Sequence, residues 1–232
     1  MALRKVYEDR TALASGLADD VSAELAKAIA SKGSACLAVS GGSTPKRFFK
    51  ALSSTDIEWS KVTITLVDER LVPETNERSN AQLVRNNLMQ NLAKMATFMP
   101  LYREALDADS TATALEADFA PHLPITVAIL GMGTDGHTAS FFPGGSHLAE
   151  AVDPTTTRLF SPMQAANAGE PRMTFTLPPL LDADFLALHI EGEEKEMVLL
   201  EAEQTGDLDK LEELPVRAVL RAAPDLHVYW AP

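Results

Sequence analysis

The chain has a single cysteine, Cys36, in 232 residues. One thiol excludes an intrachain disulfide and suits a reducing compartment, and its place inside the apolar run ACLAV reads as core packing rather than thiol catalysis. Long apolar runs are missing as well. No segment approaches the ~18 uninterrupted apolar residues of a membrane span, and Arg4, Lys5, Glu8, Asp9 and Arg10 stand where a secretory leader would need an apolar stretch. A cytoplasmic protein without membrane attachment is expected. Basic charge is in deficit: 20 Lys and Arg against 33 Asp and Glu give a formal net charge of −13, with no long acidic block of the kind that marks a disordered tail. Nucleic acid and anionic membranes are therefore not expected as partners. The same charge repels an anionic small molecule at long range, so a phosphate pocket would have to carry its own cations.

Several catalytic signatures are absent too. There is no G-x-S-x-G elbow, no H-E-x-x-H or paired-cysteine motif, and no G-x-x-x-x-G-K-[ST] loop. Serine-hydrolase chemistry, a protein-bound metal and nucleotide triphosphate chemistry all lose their main support. Repeats, low-complexity tracts and Gly/Ser linkers are lacking, and 46 % apolar residues can fill a substantial core. One domain over residues 1–232 is expected.

What is present is an alternation of two periodicities. Leu13, Leu17, Val21, Leu25 and Ile29 recur every fourth position, with Gly33 as a stop, and predict an amphipathic helix over 11–31. Short apolar runs at 36–39, 62–67, 127–130, 173–177, 185–190 and 226–230 predict strands buried on both faces. Helix-like segments fall between them at 45–53, 80–94, 110–120, 193–204 and 215–222. Strands alternating with helices predict an α/β fold with a mainly parallel open sheet and helices on both faces. Pro and Gly thicken between 143 and 179, a region expected to form loops over the sheet.

The chemistry-bearing residues cluster where strands should end, the position at which open α/β sheets bind ligands. The turn VSGGSTP, Val39 to Pro45, follows a strand and opens a helix. Gly41 and Gly42 allow backbone N–H groups close to a ligand, Ser43 and Thr44 add hydroxyls, and a helix N-terminus favours an anion. An ordinary capped turn is the plain alternative. A second turn, GMGTDGHTASFFPG, carries Asp135 and His137 two positions apart; the imidazole suits proton transfer near neutrality and the carboxylate can orient it. Gly131, Gly133 and Gly136 formally match a dinucleotide fingerprint, but Pro143, Gly144 and Gly145 would stop the long helix that such a site needs, and no acidic residue follows at ~20 positions. His122, His147 and His227 lack a comparable setting, and His189 sits in an apolar strand where it reads as core packing.

Asp68, Glu69 and Arg70 stand at another strand end, facing either the crevice or a local salt bridge. Arg172 precedes the 173–177 run, and Lys195 follows the 185–190 run. Arg can grip phosphate bidentately and Lys as a point charge, and either can equally be a solvated surface cation.

Taken together, SGGSTP, DERLVP with Ser79 and Asn80, GMGTDGHTASFFPG, RMTFTLPPL and EGEEK occur in one order over most of the chain. The set resembles the 6-phosphogluconolactonases of the glucosamine-6-phosphate isomerase/6-phosphogluconolactonase superfamily. The resemblance implies hydrolysis of 6-phospho-D-glucono-1,5-lactone to 6-phospho-D-gluconate in the oxidative pentose phosphate pathway, with no cofactor and a phosphorylated sugar lactone as small-molecule partner. It implies His137 as the general base that activates water, a phosphate site of Gly41, Gly42, Ser43, Thr44, Arg172 and Lys195, and Asp68 and Arg70 beside the sugar ring. A monomer or weak homo-oligomer is expected. The related deaminases typically read F-N-E-P where this chain has Ser140, Phe141, Phe142 and Pro143, so the glutamate used there in ring opening is absent. A non-catalytic sugar-phosphate sensor is the remaining alternative, and it would need a DNA-binding segment that the acidic balance argues against.

Overall fold

The computed structural model describes residues 2–204 and 210–232. In chain order the elements are β1 (Leu3–Val6), α1 (Arg10–Lys32), β2 (Ala35–Val39), α2 (Lys46–Leu52), β3 (Val62–Leu66), β4 (Asp68–Arg70), α3 (Asn80–Asn87), β5 (Thr97–Met99) and α4 (Ala108–Phe119). They continue with β6 (Val127–Leu130), α5 (Leu148–Ala151), β7 (Phe160–Met163), β8 (Arg172–Phe175), α6 (Leu177–Leu181), β9 (Phe185–Glu191), α7 (Glu193–Ala202), α8 (Arg217–Ala222) and β10 (His227–Ala231). Seven strands form one sheet in the order β1-β10-β9-β6-β2-β3-β5, and every pairing in it is parallel.

Burial follows from that arrangement. All residues of β2 and β6, and β9 up to Ile190, are buried, because crossover connections cover both faces of a parallel sheet. Helix α1 forms because its apolar residues repeat on one face and Asp9 caps its start, accepting from the backbone N–H groups of Thr11 and Ala12. It buries Leu13, Leu17, Val21, Leu25 and Ile29 in the core, and packs against α2, β2, β6 and β10.

Three sequence expectations need correction. The 173–177 run does not join the parallel sheet; as β8 it pairs antiparallel with β4 and β7 in a separate three-stranded sheet. A buried run of four residues carries no sign of which sheet it enters, and β8 is followed at once by the proline-led α6. The 143–179 region is consequently more than loops, holding α5, β7, β8 and α6 in sequence. The predicted 80–94 helix stops at Asn87, and a 3-10 turn at Asn91–Met95 follows after Asn91 takes a left-handed φ of 47°. Edge strands β1 and β5 have partly exposed residues and were not legible as apolar runs.

The topology places the functional turns. From β2 the chain moves outward to β3 and β5, whereas from β6 it moves outward on the other side to β9. The crevice between the carboxyl ends of β2 and β6 is therefore the switch point of the sheet. Ser40, one residue past β2, closes that crevice: its N–H donates to Ile129 O at 3.0 Å, its hydroxyl donates to the same carbonyl at 3.0 Å, and its Oγ accepts from Gly131 N–H at 2.9 Å. The two glycine turns are thus tied at their roots. Ser40→Ala should lower stability by about 1–3 kcal/mol, the cost of stranding the Gly131 N–H, read as a fall in the urea midpoint without a change in slope.

Candidate active site

Two turns and three cation-bearing segments line one cleft of about 260 Å³ at the switch point. Gly41, Gly42, Ser43 and Thr44 form one wall, Gly131, Gly133 and His137 another, and Asp68, Arg70, Arg172 and Lys195 complete the lining. Asp135 joins through His137. The residues given a catalytic or phosphate-binding role from the sequence are thus brought to one place, Glu69 excepted among the three charges at the end of β3. Among the described residues, no group of three or more His, Cys, Asp or Glu side chains is arranged to hold a metal ion.

On the imidazole wall, the Asp135 carboxylate lies 2.5 Å from His137 Nδ1, and its Oδ1 also accepts from the His137 backbone N–H at 3.2 Å. The His137 hydrogen bond is the main reason why the Asp135 carboxyl titrates below its ordinary range, against the opposing effect of partial burial. An ionised carboxylate at Nδ1 selects the tautomer protonated there, leaving the Nε2 lone pair for a substrate. The ring is tilted over Phe142 with centroids 4.5 Å apart. Gly133 is required beneath it, because a Cβ there would sit 2.3 Å from the imidazole. The dinucleotide reading fails on the chain that follows: Ala139 adopts φ 50°, Thr138 and Phe141 form a bridge, and no helix starts before Leu148.

The opposite wall is held from below. Glu69 neither lines the crevice nor, among the described residues, forms a salt bridge, the two roles weighed for it from sequence. It is fully buried at the start of α3, where its carboxylate accepts from the N–H groups of Asn80 at 2.8 Å and Ala81 at 2.7 Å and from the Ser79 hydroxyl at 3.1 Å. Burial raises its pKa in spite of these donors. Capped in this way, α3 sets Asn80, whose Nδ2 donates to Asp68 O at 2.9 Å, directly against the cradle. A Cβ on Gly41 would fall 1.9 Å from Asn80 Oδ1, so only glycine fits.

Asp68 is buried and accepts from the Ser140 hydroxyl at 2.6 Å, with Arg172 NH1 3.8 Å from the same oxygen. Arg172 also donates to Ala168 O at 2.6 Å through NH2 and to Glu170 O at 3.3 Å through Nε, and its guanidinium lies 5.4 Å from the centroid of the Phe142 ring. Two of its three nitrogens therefore tie the 168–170 loop, and NH1 is the one turned to Asp68. Desolvation lowers its pKa, opposed mainly by Asp68. Arg70 donates to Arg78 O, and its buried Nε has no hydrogen-bond partner among the described residues. Lys195, in the first turn of α7, has its Nζ 3.4 Å from Thr44 Oγ1, which joins the cation to the cradle. Burial lowers its pKa, while Glu191 and Glu194 act to keep it charged.

Sequence reasoning missed Ser40, Asn80 as a wall residue, and His189, which is buried yet lines the same cleft. For Ser40 the only signal was its place at a strand end.

Comparison with known proteins agrees with this geometry. The family model for glucosamine-6-phosphate isomerases/6-phosphogluconolactonase matches residues 8–230. The chain is 56 % identical over 229 residues to a 6-phosphogluconolactonase of Rhizobium meliloti (strain 1021), covering 98 % of this chain and 97 % of that one. It is 51 % identical over 228 residues to the same enzyme of Mesorhizobium japonicum, covering 97 % and 94 %. A crystal structure of a 6-phosphogluconolactonase from Shewanella baltica OS155 superposes with a TM-score of 0.94 at 35 % identity, covering 100 % and 98 %. An α/β protein with a switch-point cleft that joins a glycine turn at a helix start to an aspartate-oriented imidazole is the class defined here. The chain belongs to the glucosamine-6-phosphate isomerase/6-phosphogluconolactonase family.

The depressed pKa of Asp135 has a consequence for stability. A carboxylate whose folded-state pKa lies below its unfolded value of about 3.9 stabilises the fold above that value and loses the contribution as pH falls through the folded one. Asp135→Asn should therefore be less stable than the parent at neutral pH, with the gap closing below about pH 4, as measured by denaturant titrations across pH.

Proposed function

We propose that this chain is a 6-phosphogluconolactonase, a single-domain hydrolase that opens 6-phospho-D-glucono-1,5-lactone to 6-phospho-D-gluconate in the oxidative pentose phosphate pathway. One observation carries the reading: His137, oriented by Asp135, and the Thr44–Lys195 contact line the same cleft of about 260 Å³ across the β2/β6 crevice. The high identity to chains of that name supports it.

In the proposed mechanism the backbone N–H groups around Gly41 and Gly42, the Ser43 and Thr44 hydroxyls and the Lys195 ammonium hold the phosphate, with Arg172 NH1 at its flank. The ring carbonyl then lies at the His137 wall. Nε2 of His137 takes a proton from water as the oxygen attacks C1, and the oxyanion is steadied by Arg70 or by a loop N–H. Collapse of the tetrahedral intermediate breaks the bond from C1 to the ring oxygen, and the imidazolium returns its proton to that leaving oxygen. Asp135 stays ionised throughout and stabilises the imidazolium. A δ-lactone is an activated ester, so positioning plus one base, worth about 10² to 10⁴ for the proton transfer, suffices without a covalent nucleophile.

The deaminase alternative has no counterpart for its ring-opening glutamate, because Phe142 packs its ring on His137 at that place. An assay separates the readings. Lactone made in situ from glucose 6-phosphate and its dehydrogenase should be hydrolysed with release of acid; ammonia from glucosamine 6-phosphate would mark a deaminase, and binding of 6-phosphogluconate without turnover a sensor.

Two variants test the roles. His137→Asn should lower kcat by about 10² to 10⁴ with little change in product affinity, and survival of activity within a few-fold removes His137 as the base. Lys195→Met should chiefly raise KM for the phosphorylated lactone, by about tenfold or more, and an equal effect on an unphosphorylated lactone contradicts the phosphate assignment.

A further inference from the structure

Beneath the cradle lies a second ionisable pair to which the mechanism above gives no work. His189, on β9, is 2 % exposed and lines the cleft together with Thr44, Phe49 and Lys195. Neither of its ring nitrogens has a hydrogen-bond partner among the described residues. A buried histidine serving only as packing would be expected to satisfy at least one of them, since unpaired polar groups away from water are unfavourable. Its ring stands edge-on to Phe48 of α2 at 6.1 Å. Two residues along the strand, the Glu191 carboxylate faces His189 Nε2 at 3.3 Å. Glu191 Oε1 is itself buried without a hydrogen-bond partner, and Oε2 is approached by Arg10 of α1 at 3.6 Å and Arg47 of α2 at 4.0 Å. The same carboxylate acts electrostatically on Lys195.

We propose that His189 and Glu191 form a buried positioning pair that orients Lys195 and Thr44 toward the substrate phosphate. The Glu191 carboxylate, 3.3 Å from Nε2, favours the tautomer protonated there and leaves Nδ1 as an acceptor beside the cleft. The donors available there are those of the cradle. Lys195 Nζ has three hydrogens, with Thr44 Oγ1 3.4 Å away, and the Thr44 hydroxyl has one. An acceptor behind them restricts their rotation and turns the remaining donors to the cleft. The inference rests on the assignment of the cradle as the phosphate subsite.

The test is a mutant cycle on the phosphorylated lactone. His189→Phe keeps the volume and the contact with Phe48 while removing both nitrogens. It should raise KM, and the dissociation constant of 6-phosphogluconate measured calorimetrically, by about tenfold, with the loss concentrated in KM rather than kcat. Glu191→Gln should reproduce part of the loss, and His189→Gln, whose amide oxygen can accept, should recover most of it. Because the pair acts through Lys195, the double variant His189→Phe/Lys195→Met should bind no more weakly than Lys195→Met alone. Additive losses, unchanged KM and product affinity in a folded His189→Phe, or equal losses with an unphosphorylated lactone would each overturn the proposal. If His189→Phe does not fold, His189→Leu and Glu191→Gln decide it by the same product titration, and unchanged affinity in both overturns it. A Lys195→Met variant that does not distinguish phosphorylated from unphosphorylated lactone would remove the phosphate subsite and this proposal together. Discrimination by Lys195→Met with no effect of the His189 and Glu191 variants removes only the positioning pair.

Discussion

The site depends on one serine hydroxyl. Ser40 donates to Ile129 O and accepts from Gly131 N–H, so it joins the turn after β2 to the turn after β6 at the place where the parallel sheet changes direction. Parallel pairing alone brings two strand ends side by side but leaves their loops free to diverge. With Ser40 in place, the cradle and the imidazole wall keep a fixed separation. The proposed mechanism, in which a base meets a carbonyl at one end of a molecule held by its phosphate at the other, needs that separation to be constant.

Electrostatics explain why the remaining wall is built as it is. A chain of net charge −13 repels anions at a distance, so attraction has to come from cations within the cleft. Arg172 and Lys195 are both partly withdrawn from water, and burial lowers the pKa of each. Each is countered by carboxylates: Asp68 beside the arginine, Glu191 and Glu194 beside the lysine. Asp68 is in turn held by Ser140, and its backbone carbonyl by Asn80, which Glu69 positions through the start of α3. Removing one member of such a set leaves a buried charge unmatched, so the wall is a unit rather than a sum of contacts.

The sequence was legible wherever a property is local. The 3.6-residue repeat of α1, the buried runs of β2, β6 and β9, and the glycine turns that follow two of them require only near neighbours. So does the Asp135–His137 pair, two residues apart. What was not legible depends on distance along the chain. The partners of Ser40 lie 89 and 91 positions away, and Glu69 caps a helix 11 and 12 positions on. Strand β8 read as a member of the parallel sheet because a short buried run looks alike in either sheet, and its partners β4 and β7 are three and four residues long. His189 read as core packing since burial and an apolar strand were all that the pattern offered; only the fold shows the cleft beside it.

The central claim is that the two tied turns hold the two ends of one sugar phosphate. A crystal structure with 6-phosphogluconate bound measures this directly. The account predicts the phosphate on the Gly41–Thr44 turn within hydrogen-bond reach of Lys195 Nζ, and the C1 carboxylate against His137 Nε2. A phosphate seated at His137, or a product molecule bound without touching the Gly41–Thr44 turn, would contradict it.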